Sequence, residues 1–567
     1  MQNDRQEERM MQRRIRTIRV WVLTVCAILY LQAVPAWANQ VAFEEHATDV
    51  IFNSLQAQKT SRFLKSFYKR LLFLPAWMHE KGLSAPAESL FETIRNDRTL
   101  DPDGSLSFSA RTIEEEARSL YAHESDFLRK MEMEFKISLL YEDYVHYAYF
   151  GGINWGAFQA RIANLKVNDV STEWVLHRPQ VDPAGMVEAA LLGADLGEMM
   201  RKAKPKAYHY EQLQEALRRY MQIAKEGGWR RISLEKGKLK PGMRDEGVVS
   251  LRERLRITGE YDADAPTDDP SLYDETLVDA LKRFQKRNGL SPDGVVGPAT
   301  LRALNKTVYE RIKIIRLNLD RIKWLNQRSP HRHIIINIPF FTLYFEEDGK
   351  LIQKMKVITG RANHPTPIFS DEVEMIVLNP YWNVPKSIIQ KEMIPKLLRD
   401  PYALRRKGIE IFRGWGANAK PIDPASVDWA QYRYSKTVPF RFAQLPGRRN
   451  ALGKVKFLFP NRFSVYMHDT PTKPLFKRTK RAFSHGCIRL EKPRELLRTF
   501  ASFEPEIDFE KSQKTLKGKK SVHMKLSQKV PVDIVYLTAW VDYDGVLQFR
   551  DDIYRYDKMQ LKSYKEW

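Results

Sequence analysis

The chain has very little cysteine. Its 567 residues include only two cysteines, Cys26 and Cys487, and no CxxC pair. The spacing that paired-cysteine zinc sites need is therefore absent, and Cys487 has no internal disulfide partner once an N-terminal segment containing Cys26 is removed. An unpaired thiol in an exported protein risks oxidation, so a chemical role for Cys487 stands beside the alternative of a buried, inert thiol.

Long apolar runs are also scarce. Residues 20–31 form a twelve-residue apolar run, which follows six Arg and three acids in residues 1–19 and precedes the cleavage pattern Ala36-Trp37-Ala38. We expect residues 1–38 to be a secretory signal peptide. An uncleaved membrane anchor is the alternative, but the run is shorter than the roughly 20 residues that span a bilayer. No later stretch is long and apolar enough to do so.

The chain has no nucleic-acid-binding module, despite its formal net charge of +23. No zinc finger, aromatic RNP strand or GxxG clamp occurs, so we expect no nucleic-acid partner. The positive charge is compatible with binding to an acidic wall or membrane surface, and equally with Lys and Arg side chains that only solvate the surface.

The length predicts several domains, since one hydrophobic core rarely extends beyond about 200 residues. Residues 39–228 carry apolar side chains at helical spacing, as in Phe63, Phe67 and Leu71, and we predict a helical scaffold domain there. In residues 229–306 the run Phe284-Gln285 to Leu301, with Gly289-Leu290, Asp293-Gly294 and Thr300, resembles a peptidoglycan-binding domain.

The pattern changes to strands after residue 306. Alternating Ile334, Ile336 and Ile338 precede Asp348-Gly349, a pair favoured in two-residue hairpin turns. We predict a β-rich domain over residues 307–567, interrupted by an insertion at about 387–435. The predicted fold class is multidomain α+β, with a helical scaffold, a small helical domain and a β-rich domain.

One histidine and one cysteine stand out in this last domain. Alternation in residues 461–468 predicts a strand with His468 at its polar end, and Ser484-His485-Gly486-Cys487 follows after a short loop. A neighbouring imidazole can take the thiol proton and stabilise the thiolate as an ion pair. A zinc site of His468, His485 and Cys487 is disfavoured because two ligands only two positions apart would disrupt the loop, so we predict no metal and no cofactor.

These motifs resemble the L,D-transpeptidase family with the YkuD-type catalytic domain, in its large periplasmic branch with a peptidoglycan-binding domain and a substrate cap. The resemblance also covers Trp382 to Pro385 and the Gln444 to Gly447 segment. It implies Cys487 as nucleophile and His468 as base, with the second ring nitrogen held by a backbone carbonyl such as that of Asp469.

Further roles follow from the same motif. The amides of His485, Gly486 and Cys487 form the predicted oxyanion hole, since a glycine lets backbone donors converge. Arg489 offers a planar fork for a carboxylate, against the alternative of a structural ion pair. The predicted substrate-binding residues are Arg489, Ser484, Tyr466 and Trp382.

The resemblance implies a peptidoglycan L,D-transpeptidase that forms 3-3 cross-links between stem peptides through a cysteine thioester. Hydrolysis by an L,D-carboxypeptidase and transfer to a lipoprotein are the alternative outcomes. The implied location is the periplasm, with an inner-membrane tether if the signal is uncleaved. The expected partners are stem peptides and glycan, with wall-synthesis enzymes as candidates, and the sequence leaves the oligomeric state open.

Overall fold

A computed structural model describes residues 34–56, 61–121, 126–164, 173–262, 269–328, 330–414 and 419–564. The chain divides into two compact units, of which the first includes residues up to 153 and 178–205, and the second 154–177 and 206–564. Most of the predicted signal peptide lies outside the described residues, and residues 34–38 begin a helix. No helix in the described ranges is long and apolar enough to cross a membrane.

The first unit is helical. Its helices are Val34–Leu55, Arg62–Arg70, Ala85–Asn96, Ser105–Ser119, Phe127–Phe150, Pro183–Leu191 and Leu196–Lys202. Side chains at several helix starts accept backbone N–H bonds, as Ser84 does from Ala87. The buried carboxylate of Glu134 accepts bonds from three successive backbone amides, at 2.6 to 3.0 Å, which fixes the turn before the helix Ala85–Asn96.

Part of the predicted scaffold segment packs in the second unit. The helices Trp155–Ala163 and Tyr210–Lys225 belong there by their contacts. Trp155, Phe158 and Trp174 surround Trp324 with ring centroids 5.1 to 5.8 Å away. Periodicity predicts that a segment is helical but not which core it joins. The domain limits at 38, 228 and 306 therefore remain predictions.

The second unit's helices are Trp155–Ala163, Tyr210–Lys225, Gly247–Ile257, Glu275–Arg287, Pro298–Leu304, Val308–Lys323, Pro493–Ala501, Phe509–Lys517 and Tyr556–Leu561, besides short helical turns in the insertion.

The small helical module has its own apolar core. The Gln285 amide donates to Asp293 and the Val295 carbonyl, and accepts the Gly294 amide at 2.9 Å. Gly294 has a φ of +69°, so the glycine allows this turn.

The β-rich part contains a nine-stranded sheet, ordered β11-β3-β12-β10-β9-β4-β13-β1-β2, with β2 also paired to β3. Its strands are β1 Arg332–Asn337, β2 Thr342–Glu347, β3 Lys350–Gly360, β4 Phe369–Leu378, β9 Val455–Leu458, β10 Met467–His468, β11 Ala482–Ser484, β12 Ile488–Leu490 and β13 Val522–Val535. Asp348 and Gly349 both have positive φ between β2 and β3, which confirms the predicted hairpin turn. The predicted α+β fold class is confirmed.

The insertion forms a small subdomain, here called the cap. Its sheet has the order β5-β8-β6-β7, with strands β5 Trp382–Asn383, β6 Ile409–Arg413, β7 Lys420–Pro421 and β8 Phe440–Gln444. The helical turns Lys386–Ile388 and Ile394–Leu397 flank a π-helical turn, Ile389–Met393. Because β5 and β8 belong to this sheet, the cap extends beyond the predicted 387–435 on both sides. A separate hairpin pairs β14 Ala539–Val541 with β15 Leu547–Phe549.

Candidate active site

His468 lies on β10, between β9 and β12. It pairs with Lys456 of β9 in antiparallel register and with Arg489 of β12 in parallel register. The predicted strand over 461–468 is wrong before Met467, because Ser464 adopts a φ of +55°. The Asn461 side chain bonds the backbone of 463 and 465, so these residues form a turn instead of a ladder.

The His468 ring is buried and oriented by the backbone. Its Nδ1 lies 2.5 Å from the Asp469 carbonyl, the partner suggested by the resemblance. The Asp469 side chain itself accepts bonds from Lys454 and Thr470 amides. Burial, aided by the positive charge of Arg489, lowers the pKa of His468 to about 3. The imidazole is therefore neutral at physiological pH, and its Nε2 is the nitrogen that can accept a proton.

Cys487 is half-buried, and its Sγ lies 3.8 Å from the Ser464 carbonyl. Burial raises the pKa of the thiol, while hydrogen bonds from Tyr466 and the charges of Lys456 and Arg489 oppose this rise. The thiol and the imidazole are therefore both neutral at rest, and they lie on neighbouring segments, because Cys487 directly precedes β12, which pairs with β10. The ion pair expected from the sequence would then form only when the proton is transferred, and sequence spacing carries no information on the burial that sets these resting charges.

The loop before Cys487 is fixed by its own serine. Ser484 is buried, and its hydroxyl donates to the Cys487 carbonyl at 2.6 Å while accepting the Gly486 amide at 3.1 Å. These two bonds give Ser484 a role in holding the loop, and its predicted binding of substrate stays a prediction. The second bond also removes the Gly486 amide from the predicted oxyanion hole. The amides of His485 and Cys487 make no hydrogen bond within the described part of the chain.

Gly486 nevertheless has a conformational role. Its φ is +115°, a region that favours glycine, and its carbonyl accepts a bond from Thr366 at 2.8 Å. A methyl group there would meet only the Pro365 carbonyl, at 3.8 Å. The glycine is therefore needed for its backbone angle and not for space.

Two predicted substrate residues lie at the site. The Arg489 Nε is buried without a hydrogen-bond partner, and the described residues include no carboxylate paired with Arg489. Its guanidinium contacts Thr472 at 3.3 Å, so the structural ion pair considered from the sequence is not formed. The Tyr466 hydroxyl hydrogen-bonds Cys487, and its ring lies 5.7 Å from that of His468.

Trp382 lies elsewhere. It begins β5, pairs with Gln444 and packs against the apolar core of the cap. Among the described contacts it has none with Cys487 or His468. The sequence motif thus marks the start of the cap, and a direct place in the site is not observed.

Sequence reasoning missed a cap contact with the loop. Glu392, in the π-helical turn, lies 2.9 Å from Nε2 of His485, and Arg361 lies 2.8 Å from the same nitrogen. The His364 and His485 rings are 4.8 Å apart. Burial and the charge of Arg361 lower the pKa of His364 to about 4. Residue spacing could not predict this contact, since the partners are far apart in the chain.

The sequence analysis also did not identify Lys456 as a residue near the site. Val455, Lys456 and Phe457 alternate as on any strand with one exposed face, so the sequence offered no signal for this lysine. Across the described residues, no group of three or more His, Cys, Asp or Glu is arranged to hold a metal ion.

Comparisons with family models match three segments of the chain. Residues 62–217 match a scaffold domain, residues 244–304 a peptidoglycan-binding domain, and residues 331–518 the YkuD L,D-transpeptidase catalytic domain. The catalytic match contains both His468 and Cys487.

One relative bears an L,D-transpeptidase name. A Haemophilus influenzae protein assigned as an L,D-transpeptidase is 34% identical over 239 residues, which is 42% of this chain and 47% of the relative. The match thus spans about half of that relative's length.

Solved structures give weaker matches. An L,D-transpeptidase of Stackebrandtia nassauensis shares 16% identity, with 52% of this chain and 94% of that chain covered and a TM-score of 0.21. One from Xylanimonas cellulosilytica shares 16%, with 52% and 96% covered and a TM-score of 0.17. These scores add nothing to the assignment, which rests on the sequence matches. The chain carries a YkuD-type L,D-transpeptidase catalytic domain, preceded by a peptidoglycan-binding domain and a scaffold domain.

Proposed function

We propose that this protein is a periplasmic L,D-transpeptidase that forms 3-3 cross-links between peptidoglycan stem peptides through a thioester on Cys487. The observation that carries the proposal is the half-buried thiol of Cys487 at the start of β12, next to strand β10, on which a neutral His468 has its Nδ1 held by a backbone carbonyl. A base must be deprotonated to accept a proton, and the buried imidazole is in that form throughout the physiological range.

Acylation begins when the Cys487 Sγ attacks the carbonyl carbon of the third stem residue, diaminopimelate in the family. His468 takes the thiol proton as the S–C bond forms, and the carbonyl oxygen becomes negative. The free amides of Cys487 and His485 are the donors available to that oxygen. The imidazolium then gives its proton to the amide nitrogen, the C–N bond breaks and the terminal D-Ala leaves.

Deacylation uses the same groups in reverse. The side-chain amine of a second diaminopimelate attacks the thioester carbonyl and loses a proton to His468. The C–S bond breaks, and the sulfur recovers the proton from the imidazolium. The net reaction exchanges one amide bond for another, so it needs no cofactor.

The surroundings favour transfer to an amine over hydrolysis. The buried, unpaired Nε of Arg489 suits a carboxylate of the acidic stem peptide. The cap contacts the Cys487 loop through Glu392 and His485, at 2.9 Å, and a cap over the thioester can exclude water. The peptidoglycan-binding domain would raise the local concentration of substrate.

The test is mass spectrometry of products from a purified disaccharide tetrapeptide. We expect a dimer that has lost one D-Ala, and no product with Cys487→Ala. Lys454→Met is the control, since the Lys454 ammonium bonds Asn379 and the Gly518 carbonyl, away from the thiol. Tripeptide alone would replace the proposal by a carboxypeptidase, transfer to a lipoprotein lysine alone would replace it by wall anchoring, and no product would end it.

The proposed periplasmic location can be tested separately from the activity. We propose that residues 1–38 direct export and are removed, so the mature protein should begin at Asn39. N-terminal mapping of the protein from a periplasmic fraction measures this directly. A mature chain that retains residues 20–31 would favour the membrane-anchored alternative.

A further inference from the structure

Lys456 is a half-buried cation at the centre of the site. It lies on β9, between Val377 of β4 and His468 of β10. Its Nζ is 3.7 Å from the centre of the Tyr466 ring, and the Tyr466 hydroxyl hydrogen-bonds Cys487. The backbone therefore holds Lys456, Tyr466 and the thiol in one short chain of contacts.

The ammonium of Lys456 has no anion beside it in the resting protein. Of the carboxylates that the structure describes, none forms an ion pair with it, whereas the neighbouring Lys473 is paired with Asp469 at 2.8 Å. Burial lowers the pKa of Lys456, and the charge of Cys487 opposes that fall. Burial makes an ammonium less favourable in this position, the Tyr466 ring offsets part of that cost, and an anion that forms nearby during the reaction would offset more of it.

Up to three cations can be present near the thiol during the reaction. Lys456 and Arg489 are cations, and His468 becomes a third cation when it accepts the thiol proton. Lys456 attracts the sulfur anion but repels the imidazolium, since it lowers the pKa of both groups. A side chain with only a packing role would affect neither titration in this way.

We propose, on the basis that Cys487 is the nucleophile, that Lys456 is a positioning residue that stabilises the negative charge of the Cys487 sulfur through its ammonium stacked on Tyr466. No proton leaves Lys456 in this role. The thiol proton still passes to His468, and the ammonium supplies the compensating charge that burial otherwise denies to the sulfur.

The experiment measures alkylation of Cys487 by iodoacetamide against pH, in the chain beginning at Asn39, where Cys487 is the sole cysteine. Lys456→Met keeps the length of the side chain and removes its charge. We expect the midpoint of the profile to rise by about one pH unit and alkylation at pH 7 to slow about tenfold, because an opposite charge within ~4–6 Å lowers a pKa by one to three units. Lys456→Arg should restore the wild-type profile.

Lys454→Met is the matched control, since its ammonium bonds Asn379 and Gly518 instead of the site. If Lys456→Met loses its melting transition, Lys456→Gln replaces it in the same measurement. An unchanged profile in the charge-free variant overturns the proposal. A raised KM for tetrapeptide with an unchanged alkylation profile also overturns it, and would assign Lys456 to a substrate carboxylate.

These results are distinguishable from failure of the proposed function. Alkylation needs neither stem peptide nor acyl acceptor, so it measures the charge on the sulfur even if wild-type protein makes no cross-link. Absence of cross-links with a shifted profile would reject the function and retain the role of Lys456.

Discussion

The protonation state of His468 predicts an unusual pH profile for acylation. The pKa of His468 is lowered to about 3 and that of Cys487 is raised. Above the pKa of His468 and below that of the thiol both groups stay neutral, so proton transfer between them would not depend on the bulk pH. We therefore expect the rate of acylation by a carbapenem to be flat from about pH 5 to 8 and to fall only near the pKa of His468.

His468→Gln removes the base and keeps an amide that can donate to the Asp469 carbonyl. Acylation must then use the small fraction of free thiolate. Because burial raises the pKa of the thiol, this fraction is small at pH 7, and it rises about tenfold with each pH unit until the thiol titrates. We expect the variant to be at least about 100-fold slower than wild type at pH 7, within the range for general bases, and the difference to shrink towards pH 9.

Stopped-flow acylation of folded wild type and variant, with intact-mass confirmation of the adduct, measures both profiles. His485→Gln is the control and should keep a flat profile, since that ring contacts Glu392 and Arg361. A wild-type rate that falls between pH 5 and 7 would refute the argument from burial. Superimposable profiles of wild type and His468→Gln would show that the base is another residue, with His485 the next candidate.

Three other predictions address the site. Gly360→Ala should lower the melting temperature and acylation together, because its Cβ would lie 2.2 Å from the His364 carbonyl and 2.6 Å from the Thr366 amide; unchanged calorimetry and kinetics would contradict this. Glu392→Gln should weaken the cap contact by less than ~1 kcal/mol and raise the ratio of tripeptide to dimer a few-fold, as mass spectrometry of products can measure; a constant ratio would disconnect the contact from water exclusion. A carbapenem should add covalently to Cys487 and EDTA should leave the rate unchanged, so an adduct elsewhere or loss of activity with EDTA would contradict the thiol mechanism.

Short-range patterns made much of the fold predictable. The Asp348-Gly349 hairpin needs positive φ at both residues, and few other pairs tolerate it. Gln285 and Gly294 form the turn of the small helical module through bonds that span only nine residues. The same locality explains why the short Ser484 to Cys487 motif could be singled out as a loop, and why its short spacing from His468 places the two segments on neighbouring strands, β10 and β12.

Periodicity failed where a nearby side chain takes over the backbone hydrogen bonds. The strand predicted over 461–468 is a turn until Met467, because the Asn461 side chain bonds the backbone that follows it. The Ser484 hydroxyl closes the loop and takes the Gly486 amide out of the predicted oxyanion hole. A backbone amide that donates to one acceptor is no longer available to another, and the sequence does not show which acceptor each amide bonds.

The sequence by itself determined which two side chains are the candidates for the reaction, His468 and Cys487, since their residue types and spacing fit that chemistry. Only the tertiary structure decided their charge, the partnership with Lys456 and the contact of Glu392 with His485. A pKa depends on burial and on charges within a few ångströms, and those charges come from β9, β12 and the cap. Folding brings these segments together, so the proton's position in the resting site is a property of the assembled sheet and not of the motif.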